Sequence, residues 1–246
     1  MPTKKIVPRI WIPSRNRSDT GTTWTLFPGA TVFVHEREEK TYRAALPEAR
    51  IETHHCDHIN EIREEIMYRT PFGEWNIQLD DDIVKVGYFG YHVGKGRGVD
   101  VAETGDKHLA KWLEVIALAD KHEVHLVGES PTKNPLNYRP EHRLSRKGFV
   151  EGHFLAIKNT GEFHFDPRFK LKGDYDMSLQ HLASARGILR ANFLWSDYTY
   201  RTARGGCRDY RKEETERECA LLLIEKWPQW VDLAPRPESP WEVKLR

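Results

Sequence analysis

The first eighty residues alternate between two hydrophobic periodicities, and this alternation narrows the fold more than any other feature of the chain. "IVPRIWIP" is apolar and β-rich and ends at Pro13-Ser14. "ATVFVHE", Ala30 to Glu36, is a second strand candidate, and "EEKTYRAAL" reads as a short helix. "ARIETH" gives a third strand. "DHINEIREEIMYRT" then places Ile59, Ile62, Ile66 and Met67 at helical spacing, with Asp57 as the expected N-cap. "EWNIQL" is a fourth strand that runs straight into Asp80-Asp81-Asp82. Strands alternating with helices predict an α/β layer around a largely parallel sheet.

At 246 residues the chain is one large domain or one domain with appendages. Residues 1–232 are read as that domain: a binding half over 1–90, variable loops and a helix over 91–150, and a second half over 151–232. Residues 233–246, rich in proline, are expected to form an extended surface tail. "GYHVGKGRGVDVAETGD" is glycine-rich and polar and reads as a loop or mobile flap, with Gly94–Gly98 a possible lid. Leu109, Trp112, Leu113 and Ile116 mark a helix from about Lys107 to Lys121. The stretch 130–148 carries three prolines and no helical period, so a long loop is expected. "FVEGHFLAIK" predicts a strand or bent strand pair around Gly152, a helix begins near Asp174, and "GILRANFLW" is a further strand. The last helix is stopped by Pro228.

Composition excludes some classes. No run of about 18 apolar residues exists, so no membrane span is expected. The first residues lack a long apolar core with a cleavage site, which points to the cytoplasm. Cys56, Cys207 and Cys219 are scattered and odd in number, as in a reducing compartment. Lys and Arg total 38 against 37 acids, so nucleic-acid binding would have to come from local patches.

The acidic triplet carries the most chemistry. Ligands of open α/β sheets bind beyond the carboxyl ends of the strands. Three like charges there repel unless a cation compensates them. Oxygen-only ligands suit Mg²⁺ or Mn²⁺, and Mg²⁺ needs only one or two carboxylates when substrate phosphates supply the rest. A solvated acidic turn has the same sequence. In "IPSRNRSDT", Arg15 and Arg17 have the fork geometry that pairs with phosphate oxygens, and Ser14 can donate a hydrogen bond. "THHCDH" offers His54, His55, Cys56 and His58, but adjacent strand residues face opposite ways, which disfavours one shared zinc ion. Asp174 and Asp176 open a helix, where capping and base catalysis are both open. Gly205-Gly206 beside Arg201 and Arg204 suits either a phosphate-contacting turn or an ordinary surface turn.

Taken in order, "IPSRNR", "WNIQLDDDI", "VEGHFLAIK", "FDPRFKLKGDYDMSLQHL" and "DYTYRTARGG" resemble the TET-associated glycosyltransferases, a GT-A family found largely in bacteriophages. The family is similar to the beta-glucosyl-hydroxymethylcytosine glucosyltransferase group. The resemblance covers roughly residues 5–210. It implies a single-domain GT-A fold, with a Rossmann-like nucleotide-sugar-binding half and a mixed central sheet. It implies a UDP-sugar donor and a Mn²⁺ or Mg²⁺ ion held by the aspartates, with Asp80 and Asp82 as metal ligands. Pro13, Ser14, Arg15, Arg17, Glu36, Asp80, Asp81, Gly152, His153, Arg204 and Gly205 would line the donor site. Asp174, with Asp176 next, would act as base, although Gly173 stands where many members have Glu. The third metal ligand is commonly a histidine, and here the equivalent stretch offers Asp197 instead.

The implied acceptor is DNA containing 5-hydroxymethylcytosine or 5-hydroxymethyluracil, modified in the host cytoplasm if the chain is phage-encoded. Two basic windows fit it. Residues 131–148 hold Lys133, Arg139, Arg143, Arg146 and Lys147 against Glu141; residues 201–212 hold Arg201, Arg204, Arg208, Arg211 and Lys212 against Asp209. Tyr138, Phe149, Tyr198, Tyr200 and Tyr210 lie among or beside them. Cationic side chains interleaved with aromatics suit a nucleic-acid backbone and unstacked bases. A sugar already on the modified base, a protein or a glycan remains an alternative acceptor, because a donor site does not fix the acceptor.

Overall fold

A computed structural model describes residues 6–199 and 205–246. The first third follows the order β1 (Arg9–Ser14), α1 (Thr23–Leu26), β2 (Thr31–His35), α2 (Glu39–Ala45), β3 (Arg50–His54), α3 (Ile59–Arg69) and β4 (Trp75–Leu79). These four strands are parallel, in spatial order β3-β2-β1-β4. They read as apolar because the sheet is covered on both faces. Ile12, Val32, Val34, Ile77 and Leu79 lie in one buried cluster, while Trp11 and Phe33 meet Ile62 and Ile66 of α3 in another. The helix begins one residue later than expected. His58 takes the N-cap position, and Glu61 reaches back to accept from the amides of Asp57 and His58.

The sheet then becomes mixed. β9 (Phe154–Lys158) lies antiparallel between β4 and β7 (Leu126–Glu129). β10 (Leu189–Ala191) runs parallel to β7, and the two-residue β8 (Leu144–Ser145) closes that edge. Helix α4 (Gly105–Lys121) packs Trp112, Val115, Ile116 and Ala119 against the sheet, with the Trp112 ring stacked on Phe154 at 4.3 Å. Helices α5 (Gly173–Ala183) and α6 (Glu213–Lys226) complete the second half. No helix among the described residues is long and apolar enough to cross a membrane.

Three segments differ from the sequence reading. The glycine-rich flap is a hairpin: β5 (Ile83–His92) pairs antiparallel with β6 (Arg97–Glu103), and β11 (Leu194–Tyr198) joins them in a second, three-stranded sheet. Gly87 and Gly98 serve close packing, whereas Gly96, at φ 58°, makes the hairpin turn. A Cβ on Gly87 would fall 2.3 Å from the Val101 carbonyl oxygen and 2.4 Å from the Trp195 ring. "GILRANFLW" is two strands, β10 and β11, with the corner at Asn192-Phe193 carrying the chain from one sheet to the other. The C-terminal segment turns back, so that β13 (Val243–Leu245) pairs with β12 (Val231–Leu233) and buries Val243 beside α6. Val243 and Trp241 supply the apolar contacts that hold it there.

The second half also contains an acid-sensitive point. His181 of α5 is fully buried, donates from Nδ1 to the Met177 carbonyl at 2.9 Å, and stacks on Phe163 at 3.7 Å. Among the described residues its Nε2 has no partner, and burial holds the imidazole down at about 4. The folded value lies below the unfolded one, near 6.5, so this stabilisation is full above about pH 6.5 and is lost as pH falls toward 4. We expect urea midpoints to drop over that range. The loss from this group is roughly 1.4 kcal/mol per pH unit, and His181→Asn is expected to flatten the decline. An equally steep decline in the variant would contradict this assignment.

Candidate active site

β1 and β4 are parallel neighbours, so Ser14 and the aspartate triplet reach the same edge of the sheet. Asp81 turns inward. Ser14 Oγ donates to its Oδ2 at 2.5 Å, and Arg17 Nη1 donates to its Oδ1. The same guanidinium nitrogen donates to Asp82 Oδ2 at 3.1 Å. The Tyr42 hydroxyl, from α2, lies 2.7 Å from Ser14 Oγ and accepts from the Arg17 amide. Burial deprives Arg17 of water, but Asp81, with Asp82 and Asp80, outweighs it and holds the guanidinium above its ordinary value. Arg17 is thereby fixed as the positive centre of the triplet.

Asp80 and Asp82 face a cavity of about 530 Å³. Asp80 is 39% exposed and accepts from Arg63 Nη2 at 3.2 Å; Asp82 is 13% exposed. Burial, then the charges of Asp80 and Asp81, push the Asp82 carboxyl up to about 7. Within the triplet itself, three carboxylates share two guanidiniums, Arg17 and Arg63. Asp80 Oδ2 and Asp82 Oδ1 accept from no described residue.

Arg63 connects the triplet to the opposite wall. From α3 it also donates to the Gly152 carbonyl at 2.7 Å. A Cβ on Gly152 would fall 2.5 Å from Arg63 Nη1, so a side chain there would displace the guanidinium. The next residue, His153, accepts from the Asp80 amide with its carbonyl at 2.9 Å. Its ring lies between two carboxylates: Nε2 is 3.0 Å from Glu129 Oε1, and Nδ1 is 3.1 Å from Glu151 Oε2. Burial works against a charge on His153, but the bonds to Glu129 and Glu151 hold the imidazolium up to about 10. Glu129, at the end of β7, is buried and also meets His108 Nε2 at 3.3 Å and the Ser196 hydroxyl. Burial opposes its charge too, yet His108 and His153 keep the carboxyl down at about 2.

The remaining wall is partly aromatic. Tyr198 stacks on His153 at 4.6 Å and donates from its hydroxyl to Glu151 Oε2 at 3.3 Å. Phe149 and Tyr175 stack on one another at 4.4 Å. Asp174 accepts from the amides of Gly152 and Tyr175, and burial raises its carboxyl above the usual range. Arg15, Arg208 and Arg211 also line the cavity.

The cavity thus brings together Pro13, Ser14, Arg15, Arg17, Asp80, Asp81, Asp82, Gly152, His153 and Asp174. Gly205 stands just behind, its carbonyl accepting from Arg17 at 3.3 Å, while Gly206 lines the space. Other expectations are corrected. Asp176 is 1% exposed and receives Trp227 Nε1 at 2.7 Å and Lys226, so it anchors α6 and not a substrate. Asp197 pairs with Lys133; the strand alternation that turns Tyr198 into the cavity turns Asp197 away from it. Glu36 is exposed, pairs with His55 at 3.1 Å, and lies outside the cavity. Asp81 lines the cavity and is at the same time the buried partner of Arg17. The Gly94–Gly98 hairpin tip does not line the cavity. Arg204, with Arg201 and Tyr200, lies outside the described residues. In the first basic window, Lys133 is held by Asp197, Arg143 covers Phe193, and Arg146 donates to the Arg186 carbonyl.

Sequence reading missed Arg63, Glu129, Glu151 and Tyr42. Arg63 carried a signal, being a charge beside the apolar positions Ile62 and Ile66 of a buried helix. Glu129, on an apolar strand, carried a similar one. His54 is buried against Phe33 whereas His55 is exposed, so these neighbours diverge. Among the described residues, no three His, Cys, Asp or Glu side chains are arranged to hold a metal ion. Asp80 and Asp82 nevertheless fit a hard divalent cation: each lines the cavity and has a carboxylate oxygen that accepts from no described residue. No family model matches the chain, and no curated protein matches it. Fold and site together define an α/β protein with a mixed central sheet and a cavity at its strand ends lined by both carboxylates and guanidiniums.

Proposed function

We propose that the protein is a metal-dependent GT-A glycosyltransferase that moves a sugar from a UDP-sugar to the hydroxyl of a 5-hydroxymethylpyrimidine in DNA. The observation that carries this reading is the shared cavity, in which Asp80 and Asp82 face the 151–153 turn and Asp174 across one space. Support for the GT-A form comes from the parallel β3-β2-β1-β4 run followed by antiparallel β9, a mixed sheet of the kind the resemblance implies. Asp80 and Asp82 would hold Mn²⁺ or Mg²⁺. When bound, that ion neutralises charge on the departing diphosphate. Arg15, Arg208 and Arg211 give the diphosphate oxygens further cationic partners. The Phe149–Tyr175 pair at the cavity wall supports a planar acceptor taken out of its stack.

The test is intact mass of short oligonucleotides incubated with the protein, Mn²⁺ and a panel of UDP-sugars. Oligonucleotides with cytosine, 5-hydroxymethylcytosine, 5-hydroxymethyluracil or glucosylated hydroxymethylcytosine distinguish the acceptors. We expect a sugar-sized gain on one hydroxymethylated base alone. Asp82→Ala is expected to reduce transfer by about a hundredfold or more. UDP release without any oligonucleotide gain would move the acceptor elsewhere, and neither signal would refute the reading.

A further inference from the structure

Two carboxylates on the acceptor-side wall, Asp174 and Glu151, differ in what their oxygens already do. Asp174 Oδ2 accepts from the Gly152 amide at 3.3 Å, and Oδ1 accepts from the Tyr175 amide at 3.0 Å. It ties the start of α5 to the turn before β9. Glu151 is one quarter exposed in the same cavity. Its Oε2 takes both the His153 Nδ1 contact and the Tyr198 hydroxyl, and its Oε1 meets no described residue.

We propose that Glu151 is the general base toward the acceptor hydroxyl, and that Asp174, His153 and Glu129 position it. This rests on the glycosyltransferase reading above. In the step, the acceptor O–H proton passes to Glu151 Oε1 as that oxygen bonds to the sugar's anomeric carbon. The bond from that carbon to the diphosphate oxygen breaks, and its electron pair leaves with UDP. The balance of charge at the wall favours Glu151. When it takes the proton it ceases to compensate His153, yet the ring stays paired with Glu129 at 3.0 Å. Without Glu129, neutralising Glu151 would strand a buried positive charge, which is costly. The clamp also fixes the carboxylate before substrate arrives. Tyr198 stacks on His153 while donating to Glu151, so ring and carboxylate are oriented together.

The experiment compares wild type, Glu151→Gln, Glu151→Asp and Asp174→Asn. It measures kcat and acceptor KM on the hydroxymethylated oligonucleotide, UDP affinity with Mn²⁺ by calorimetry, and thermal midpoint. We expect Glu151→Gln to lose about a hundredfold or more in kcat, with acceptor KM and UDP affinity within a few-fold. Glu151→Asp is expected to recover part of the rate, because it can still take a proton. Asp174→Asn is expected to lose less rate than Glu151→Gln. Full kcat in Glu151→Gln, or a larger loss in Asp174→Asn at unchanged thermal midpoint, would overturn the assignment. Wild type lacking both UDP affinity and transfer would instead refute the underlying reading, and the assignment would fall with it.

Discussion

Replacing Arg17 by Met is expected to destabilise the protein by about 3–5 kcal/mol, a drop in thermal midpoint of roughly 6–10 °C for a chain of this size. The reason lies in what the guanidinium holds together. It bonds Asp81 and Asp82 at once and donates to the Gly205 carbonyl. Methionine would keep much of the packing and leave Asp81 buried with Ser14 as its one side-chain hydrogen-bond donor among the described residues. Urea denaturation gives the measurement. A second variant separates charge from packing: Arg17→Met with Asp81→Asn should be more stable than Arg17→Met alone, because the stranded charge is gone. If the double variant is the less stable of the two, the loss is one of packing and the electrostatic account is wrong.

Glu129→Leu is expected to have a comparable effect, again about 3–5 kcal/mol. Glu129 lies between His108 and His153, both buried, and receives the Ser196 hydroxyl as well. Leucine matches its bulk but offers no acceptor, so three donors lose their partner together. Glu129→Gln keeps one acceptor oxygen and should fall between wild type and Glu129→Leu. Equal stability of Glu129→Leu and wild type in urea would mean the network contributes nothing to folding. Because His153 also braces Glu151, the same substitution is expected to lower any transfer rate more than its stability loss explains at 25 °C.

How much of this was written in the chain can be judged from particular residues. The parallel half was legible: β1, β2, β3 and β4 are short apolar runs, and α3 keeps its helical period. The aspartates were legible as a strand-end cluster, because an apolar run leading directly into three carboxylates marks the strand's carboxyl end, although a solvated acidic turn reads the same. The β5–β6 hairpin was not, since glycines that admit a neighbouring backbone or ring look the same in sequence as glycines that permit flexibility. Asp174 and Asp176 illustrate the limit most sharply. They are two residues apart on one helix, about 200° around its axis. That rotation sends Asp174 to the cavity and Asp176 to Lys226 and Trp227 of the α6 region.

The sequence by itself determined the layer type, the strand ends and the residues able to carry charge there, because these follow from local periodicity and side-chain chemistry. Only the tertiary structure decided which charges meet. Arg17 and Asp81 are 64 positions apart, Arg63 and Gly152 89 apart, and Ser196 and Glu129 67 apart. Pairings over such distances are set by strand order and by the antiparallel insertion of β9, which brings Gly152 and His153 beside Asp80. No local pattern encodes that insertion, so the roles of Arg63, Glu129 and Glu151 emerge only once the sheet is assembled.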